Sequence, residues 1–407
     1  DKSDDDYELL MAQLGGSTAR LQPEHFLSAL WQRQNDDNFA KLLDDTLKDI
    51  AALNADIFSV MTYDGQKIVL FDEVTQYVSS KRDEFAKAIV NKLIDFSFEQ
   101  IFEEKFDFYA TLFEYLIKDY NKDGGGKYAE YYTPHAVAKI MAACLVPKDV
   151  SNVTCYDPAA GTGQLLMNLA HAIGEDQCTL YTEDISQKSS QLLRLNLILN
   201  GLVHSIPNVI QGNTILDPYH KTGSGGELRK FDYIVSNPPF KLDFSDFRDQ
   251  LDTKANQKRF FAGIPKIPKK AKDKMAIYSL FLQHVIHSLD ECGRAAIVVP
   301  TGFITAKSGI DKKIRQYLVN KKMLGGVISM PSNIFATTGT NVSILFIDAN
   351  NKEEVILIDA SNLGDKVKEG KNTKTVLRPE DEKNIIEAFI SKNTVEDFSV
   401  AVSYAEL

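Results

Sequence analysis

Ser236-Asn237-Pro238-Pro239-Phe240 puts an amide side chain, a main-chain carbonyl and an aromatic ring into one stiff turn. The carbonyl of Pro238 precedes another proline, so no N–H from the next residue competes for it. Amide, carbonyl and ring together suit the holding of a flat, amine-bearing ring. Taken alone, the two prolines could equally do no more than end a strand.

A second constellation lies upstream. Asp157-Pro158-Ala159-Ala160-Gly161-Thr162-Gly163 follows an apolar run and precedes a helical one, and its glycines let the backbone turn tightly against a ligand. Glu183, 26 residues after Asp157, closes the next strand-like run, where a carboxylate can accept hydrogen bonds from both ribose hydroxyls. The third glycine of a dinucleotide fingerprint is missing, since Gly161-Thr162-Gly163 continues as Gln164-Leu165-Leu166. A phosphate-cradling G-x-x-x-x-G-K-[ST] is missing too. A ligand with a ribose but no pyrophosphate fits these residues, and S-adenosyl-L-methionine is such a ligand.

These turns need strands to deliver them and helices to cover the strands. Strand-like runs are expected at Val153–Tyr156, Thr179–Thr182, Asn208–Gln211, Phe231–Ser236, Arg294–Val299, Leu324–Ser329, Val342–Asp348 and Glu354–Ile358. Helical runs fall between or after them, from about Gln164 and over Gln187–Asn200, Ile277–Leu289, Asp311–Asn320 and Pro379–Ser391. Alternation of this kind predicts an α/β fold, a mostly parallel sheet with helices on both faces and ligands outside the carboxyl ends of its strands.

Residues 1–123 carry helical spacing instead, around Phe26–Trp31, Phe39–Leu53, Asp72–Ile94 and Phe98–Tyr120. An all-helical N-terminal domain is therefore expected over 1–123, joined by the glycine-rich Asn121–Lys127 to a catalytic domain over 124–407 that includes a C-terminal extension from about 360. The helical part shows no catalytic constellation, which suits contact with a partner or substrate.

With 407 residues, 44% hydrophobic and 25% charged, the chain has an ordinary globular composition and enough length for two domains. It opens on Asp rather than Met, so the natural N-terminus is expected to lie further upstream. No apolar run reaches membrane-spanning length and no signal peptide opens it, which predicts a cytoplasmic protein with no membrane partner.

The four cysteines, Cys144, Cys155, Cys178 and Cys292, are spread out and read as core residues rather than a disulfide frame or zinc site. His284 and His287 lie one helical turn apart with no carboxylate between them, so no metal site is expected. A net charge of −10 argues against a wholly nucleic-acid-binding surface. The local lysines 266, 269, 270, 272 and 274 suit phosphates or a solvated loop.

Taken jointly, Asp157–Gly163 and Asn237–Phe240 resemble the adenosylmethionine-binding and catalytic motifs of N6-adenine DNA methyltransferases. Glu130-Tyr131-Tyr132-Thr133-Pro134, upstream of the glycine turn, resembles a further cofactor motif in the order of type I restriction-modification methylation (M) subunits. Gln257–Pro265, Phe281–His284, Gly293–Pro300 and Thr338–Val342 continue the resemblance, which is close over about 120–360. It implies a Rossmann-like adenosylmethionine-dependent methyltransferase sheet, with Asn237, Pro238, Pro239 and Phe240 at the reacting amine.

The same resemblance assigns Glu130, Tyr131, Tyr132, Thr133, Pro134, Asp157, Gly161, Thr162, Gly163, Glu183 and Asn213 to the cofactor. Position 213 is Asn where many relatives carry Asp, which keeps an acceptor for an adenine amine and loses the charge. In this reading the oxygens of Asn237 and Pro238 accept the N–H groups of an exocyclic amine and free its lone pair, with no metal. Phe240 stacks on a base flipped out of double-stranded DNA.

The resemblance also implies partners: a specificity subunit that reads the sequence, a second copy of the methylation subunit, and a restriction subunit. Rival readings are a protein glutamine N5-methyltransferase, which an Asn-Pro-Pro-aromatic turn also suits, cytosine N4 methylation, and a non-catalytic assembly subunit that retains the fold.

Overall fold

The computed structural model describes residues 20–55, 59–62, 67–69, 73–95, 133–147, 149–223, 226–335, 341–351, 354–369 and 372–407, with only the backbone at 59–62, 67–69, 369 and 372. The expected helix Phe98–Tyr120, the hinge Asn121–Lys127, Glu130-Tyr131-Tyr132 and Thr338-Gly339-Thr340 lie outside the described residues. The chain divides into two compact units, Asp1–Tyr109 with Ser190–Gln211, and Ala110–Ser189 with Gly212–Leu407. No helix among the described residues is long and apolar enough to cross a membrane.

The first unit is largely helical, with helices Leu27–Gln32, Phe39–Leu53 and Arg82–Ile94. Their apolar faces bury Leu30, Phe39, Ala40, Leu43, Ala86 and Val90 in one small core. The Asp83 carboxylate accepts the Ala40 N–H at 2.7 Å, so a neighbouring helix satisfies a donor that the first turn of Phe39–Leu53 leaves without an intrahelical partner. Buried Asp44 accepts the N–H and hydroxyl of Thr75 at 3.1 and 2.5 Å, tying the turn Val74–Tyr77 to that helix.

The run expected as one helix over Asp72–Ile94 is broken. Ser79-Ser80 precede Lys81, which sits in the left-handed region at φ 59° and starts Arg82–Ile94. Serines compete for backbone hydrogen bonds and favour such breaks. The unit also contains strands. β1 (Ser59–Thr62) pairs antiparallel with β2 (Lys67–Val69) and parallel with β5 (Val209–Gln211). β5 was expected, at Asn208–Gln211, whereas β1 and β2 were not: they fall within the stretch expected to be all-helical, and segments this short carry little alternation.

The second unit is built on β3 (Val153–Asp157), β4 (Cys178–Asp184), β6 (Phe231–Ser236), β7 (Leu289–Pro300), β8 (Leu324–Ser329), β9 (Val342–Asp348), β10 (Val355–Asp359) and β13 (Ser399–Val402). Its order is β13-β10-β8-β9-β7-β6-β3-β4. β3 runs parallel to β4 and to β6, and β6 parallel to β7, while β9 is inserted antiparallel between β7 and β8. The hairpin β11 (Asp365–Glu369) and β12 (Asn372–Val376) forms a separate two-stranded sheet.

Ala295–Val299 is wholly shielded from solvent, as a strand covered on both faces must be. The helices Tyr278–Ser288 and Gly309–Asn320 pack Leu282, Val285, Ile314 and Leu318 onto β6, β7 and β9 in one core. This is the mixed α/β architecture expected from the alternating pattern, with Gln164–Ile173 following β3 and His135–Leu145 preceding it.

Candidate active site

Three adjacent parallel strands, β4, β3 and β6, end on the same side, and the turn after each contributes to one cavity of about 290 Å³. Pro158, Ala159 and Gly161 come from the turn after β3, Asp184 to Ser186 from the end of β4, and Asn237 and Pro239 from the turn after β6. Gly212 to Ile215 form another wall, and Leu242, Phe247, Ile277 and Phe281 make the rest apolar.

The glycine turn is held through its own backbone N–H groups. Ala159 N–H donates to Asp157 Oδ1 at 2.9 Å, Ala160 N–H to the Glu183 carbonyl at 3.2 Å, Gly161 N–H to Asp184 Oδ2 at 2.8 Å, and Gly163 N–H to the Ala160 carbonyl at 2.8 Å. Gly161 and Gly163 sit at φ 53° and 86°, the left-handed region that glycine adopts without strain. Gly163 then starts the helix Gln164–Ile173. With those four donors engaged inside the chain, the turn offers room and close approach rather than an anion cradle, which fits a ligand lacking a pyrophosphate. Thr162 lies between the glycines, half-buried.

Asp157 is buried beneath the turn, and burial pushes its carboxyl up to about 7. It shapes the turn and does not line the cavity.

Glu183, expected to hold ribose hydroxyls, does not line the cavity. Its Oε1 accepts the buried Tyr156 hydroxyl at 3.0 Å and its Oε2 the Tyr219 N–H at 3.2 Å, both away from the cavity. Burial raises its pKa to about 7. The carboxylate at the cavity is the next residue, Asp184, because successive residues of a strand face opposite sides. Asp184 Oδ1 accepts the Ser186 N–H at 2.7 Å and Oδ2 the Gly161 N–H, which leaves each oxygen a further lone pair for a hydroxyl. Two adjacent acids at a strand end were visible in the sequence; the alternation of faces is the signal that separates them.

Asn213 lines the cavity, but its Oδ1 accepts the N–H groups of Ile215 and Leu216 at 3.2 and 3.1 Å. That oxygen therefore shapes its own turn instead of standing ready for an adenine amine, and the amide nitrogen is the group left for a ligand.

On the turn after β6, Asn237 Nδ2 donates to Thr133 Oγ1 at 3.1 Å. The structure thereby joins two residues 104 positions apart that the sequence had assigned to different motifs. Thr133 is buried, and Pro134 opens the helix His135–Leu145. With Nδ2 engaged, Asn237 Oδ1 is the acceptor left for an amine. Pro238 is buried and Pro239 faces the cavity. Phe240 lies against the hydrophobic core and meets Tyr278 edge-on, with centroids 6.4 Å apart, and is not a wall of the cavity. Phe247 and Phe281 are the aromatic rings of the cavity wall, which the sequence could not show because both approach from beyond the turn.

A family model for N-6 DNA Methylase matches residues 104–407, well over half the chain. The chain is 28% identical over 329 residues to a type I restriction enzyme MpnII methylase subunit of Mycoplasma pneumoniae, covering 79% of this chain and 58% of that protein. It is 28% identical over 289 residues to the EcoEI methylase subunit of Escherichia coli, covering 68% and 52%. The chain thus spans a little over half the length of these curated relatives. Among solved structures, a type I restriction-modification methyltransferase subunit from Streptococcus thermophilus superimposes with a TM-score of 0.75 at 24% identity, covering 100% of this chain and 82% of that one. A class I adenosylmethionine-dependent methyltransferase from Listeria monocytogenes shares the fold at a TM-score of 0.51 and 16% identity, covering 90% and 98%. This chain belongs to the N-6 DNA methylase family, together with the methylase subunits of type I restriction enzymes.

Proposed function

We propose that this chain transfers a methyl group from S-adenosyl-L-methionine to N6 of an adenine flipped out of double-stranded DNA, as the methylation subunit of a type I restriction-modification complex. The observation that carries the reading is one cavity in which Gly161, Asp184 and Asn237 meet from the ends of three parallel strands.

The donors and shape of that cavity fit the cofactor. The glycine turn leaves room for close approach, Asp184 has lone pairs for ribose hydroxyls, and Leu242, Ile277 and Phe281 give an apolar wall for a flat ring. Asn213 brings an amide nitrogen to the same wall. Bound adenosylmethionine supplies the electrophilic methyl group.

At the other turn, Asn237 Oδ1 and the Pro238 carbonyl accept the two N–H groups of the target amine. That pulls the nitrogen lone pair out of the ring and aims it. Orienting an amine in this way belongs to the class of effects worth up to roughly 7–11 kcal/mol. Flipping the base costs a few kcal/mol, and apolar contact with Pro239 or Phe247 offsets part of it.

A specificity subunit is proposed to select the DNA sequence, with a second methylation subunit and a restriction subunit joining it. The test is co-purification of the chain with the specificity subunit of its own system, followed by mapping of N6-methyladenine in DNA. N6-methyladenine at one defined sequence, made only with both subunits present, is the expected result. Labelled methyl groups found on a protein glutamine, on cytosine, or nowhere would overturn the reading.

A further inference from the structure

The segment Gln257–Pro265 takes no part in the chemistry above, yet it holds Arg259, which is 2% exposed. An arginine side chain has only donors, so the direction of each of its bonds is settled. Nη1 donates to the Ile215 carbonyl at 2.9 Å and Nη2 to the Thr214 carbonyl at 2.5 Å. Nε donates to His284 Nδ1 at 3.0 Å.

His284 is therefore an acceptor at Nδ1 and carries its proton on Nε2, which faces the Tyr156 hydroxyl at 3.0 Å. Tyr156 in turn donates to Glu183 Oε1. The relay runs one way, from Arg259 through His284 and Tyr156 to a carboxylate, and it needs a neutral imidazole. Burial and the neighbouring Arg259 push the His284 pKa well below its ordinary value.

One end of this relay holds the cavity wall and the other stops beside it. Thr214 and Ile215 are cavity wall, and Glu183 is the residue before Asp184 on the facing side. The helix Tyr278–Ser288 clamps the segment twice: His284 takes Arg259, and Gln283 Oε1 accepts the Ala262 N–H at 2.7 Å while its Nε2 donates to the Gly263 carbonyl at 3.0 Å. Nothing in the relay touches the cavity with its own side chain.

We propose that Arg259, oriented by His284, is a positioning residue for the cofactor pocket: it sets the Asn213–Ile215 wall against which the ring of adenosylmethionine lies. The proposal rests on the cofactor reading given above. Its logic is that two wall carbonyls are fixed by a guanidinium whose third bond pins it to a rigid ring.

The test is calorimetric titration of the whole chain with adenosylmethionine, with thermal melting alongside. Arg259→Lys, which keeps the charge but cannot span three acceptors, is expected to bind about tenfold more weakly while still folded at the assay temperature, with a melting temperature lowered by the buried acceptor left unpaired. His284→Leu is expected to do the same. His284→Gln offers one acceptor and one donor, as the imidazole does, and is expected to recover affinity to within about threefold of the parent. If Arg259→Lys does not fold, the His284 pair decides alone.

Unchanged affinity in Arg259→Lys overturns the proposal, and so does equal weakness of His284→Leu and His284→Gln. Affinity lost only where the variant is unfolded at the assay temperature overturns it too. Failure of the parent chain to bind adenosylmethionine overturns the cofactor reading itself, and is told apart because it involves no variant.

Discussion

The two turns that meet in the cavity are made rigid by opposite means. Asp157–Gly163 is the most permissive backbone the chain has there, and it is held by four N–H bonds to neighbouring oxygens. Asn237–Phe240 is stiffened covalently, by two prolines that have no N–H to give, and its one amide is tethered by the hydroxyl of Thr133. The first turn spends its donors on its own oxygens and on those at the end of β4, and leaves space. Among the described residues no hydrogen bond falls on the Asn237 or Pro238 carbonyl, so the second turn offers acceptors.

The sharpest way to break this contrast is Asn237→Ala. Methyl transfer is expected to fall about 10²–10³-fold or more, the scale seen when one oriented polar group is removed from a reacting centre. Adenosylmethionine binding, read by calorimetry, should stay near the parent value. Comparable losses in both readouts would show that the turns do not divide the work.

Next in size, Asp184→Asn weakens two charge-assisted contacts and any hydroxyl the carboxylate holds. A loss of about 1.5–3 kcal/mol is expected, roughly tenfold to a hundredfold in cofactor affinity. Glu183→Gln should change affinity much less. The reverse ranking would return the ribose assignment to Glu183.

A third test concerns the carboxyl beneath the first turn. Asp157 and Glu183 are raised by burial from ordinary carboxylate values to about 7, so the folded chain holds their protons more tightly than the unfolded chain does. Stability from these groups is then present at acid pH and lost as pH rises from about 4 towards 7, by at most about 1.4 kcal/mol per pH unit for each. Urea unfolding between those limits should show the slope. Asp157→Asn, which keeps the acceptor for Ala159, should reduce it.

Smallest is Gly163→Ala. At φ 86° a Cβ costs about 1 kcal/mol, visible as a small drop in melting temperature.

Much of this architecture was legible beforehand. β6, β8 and β9 and the helices Phe39–Leu53 and Pro379–Ser391 match their expected bounds to the residue. Apolar runs covered on both faces, and a proline with acids in a first turn, are strong local signals. The hairpin β11–β12 was not legible, because Asp-Lys-Val-Lys-Glu and Asn-Thr-Lys-Thr-Val carry no apolar face to alternate.

In the site, Gly161, Asn213, Asn237 and Pro239 reach the cavity from their motifs. Phe240 does not, since whether its ring faces the cavity or Tyr278 depends on where the helix Tyr278–Ser288, far onward in the chain, settles. Arg259 was visible only as part of a motif, its partners being 25 to 45 positions distant.

The neighbouring acids at the end of β4 carry one more consequence. Because Glu183 feeds the interior relay and Asp184 the cavity, deleting or inserting a single residue in Cys178–Thr182 would exchange their faces, putting the longer side chain in the pocket and the shorter one in the relay. A change of two residues would preserve both assignments. Natural length variation in this strand should therefore come in even steps, and a library of engineered insertions sorted by cofactor binding should recover the same parity.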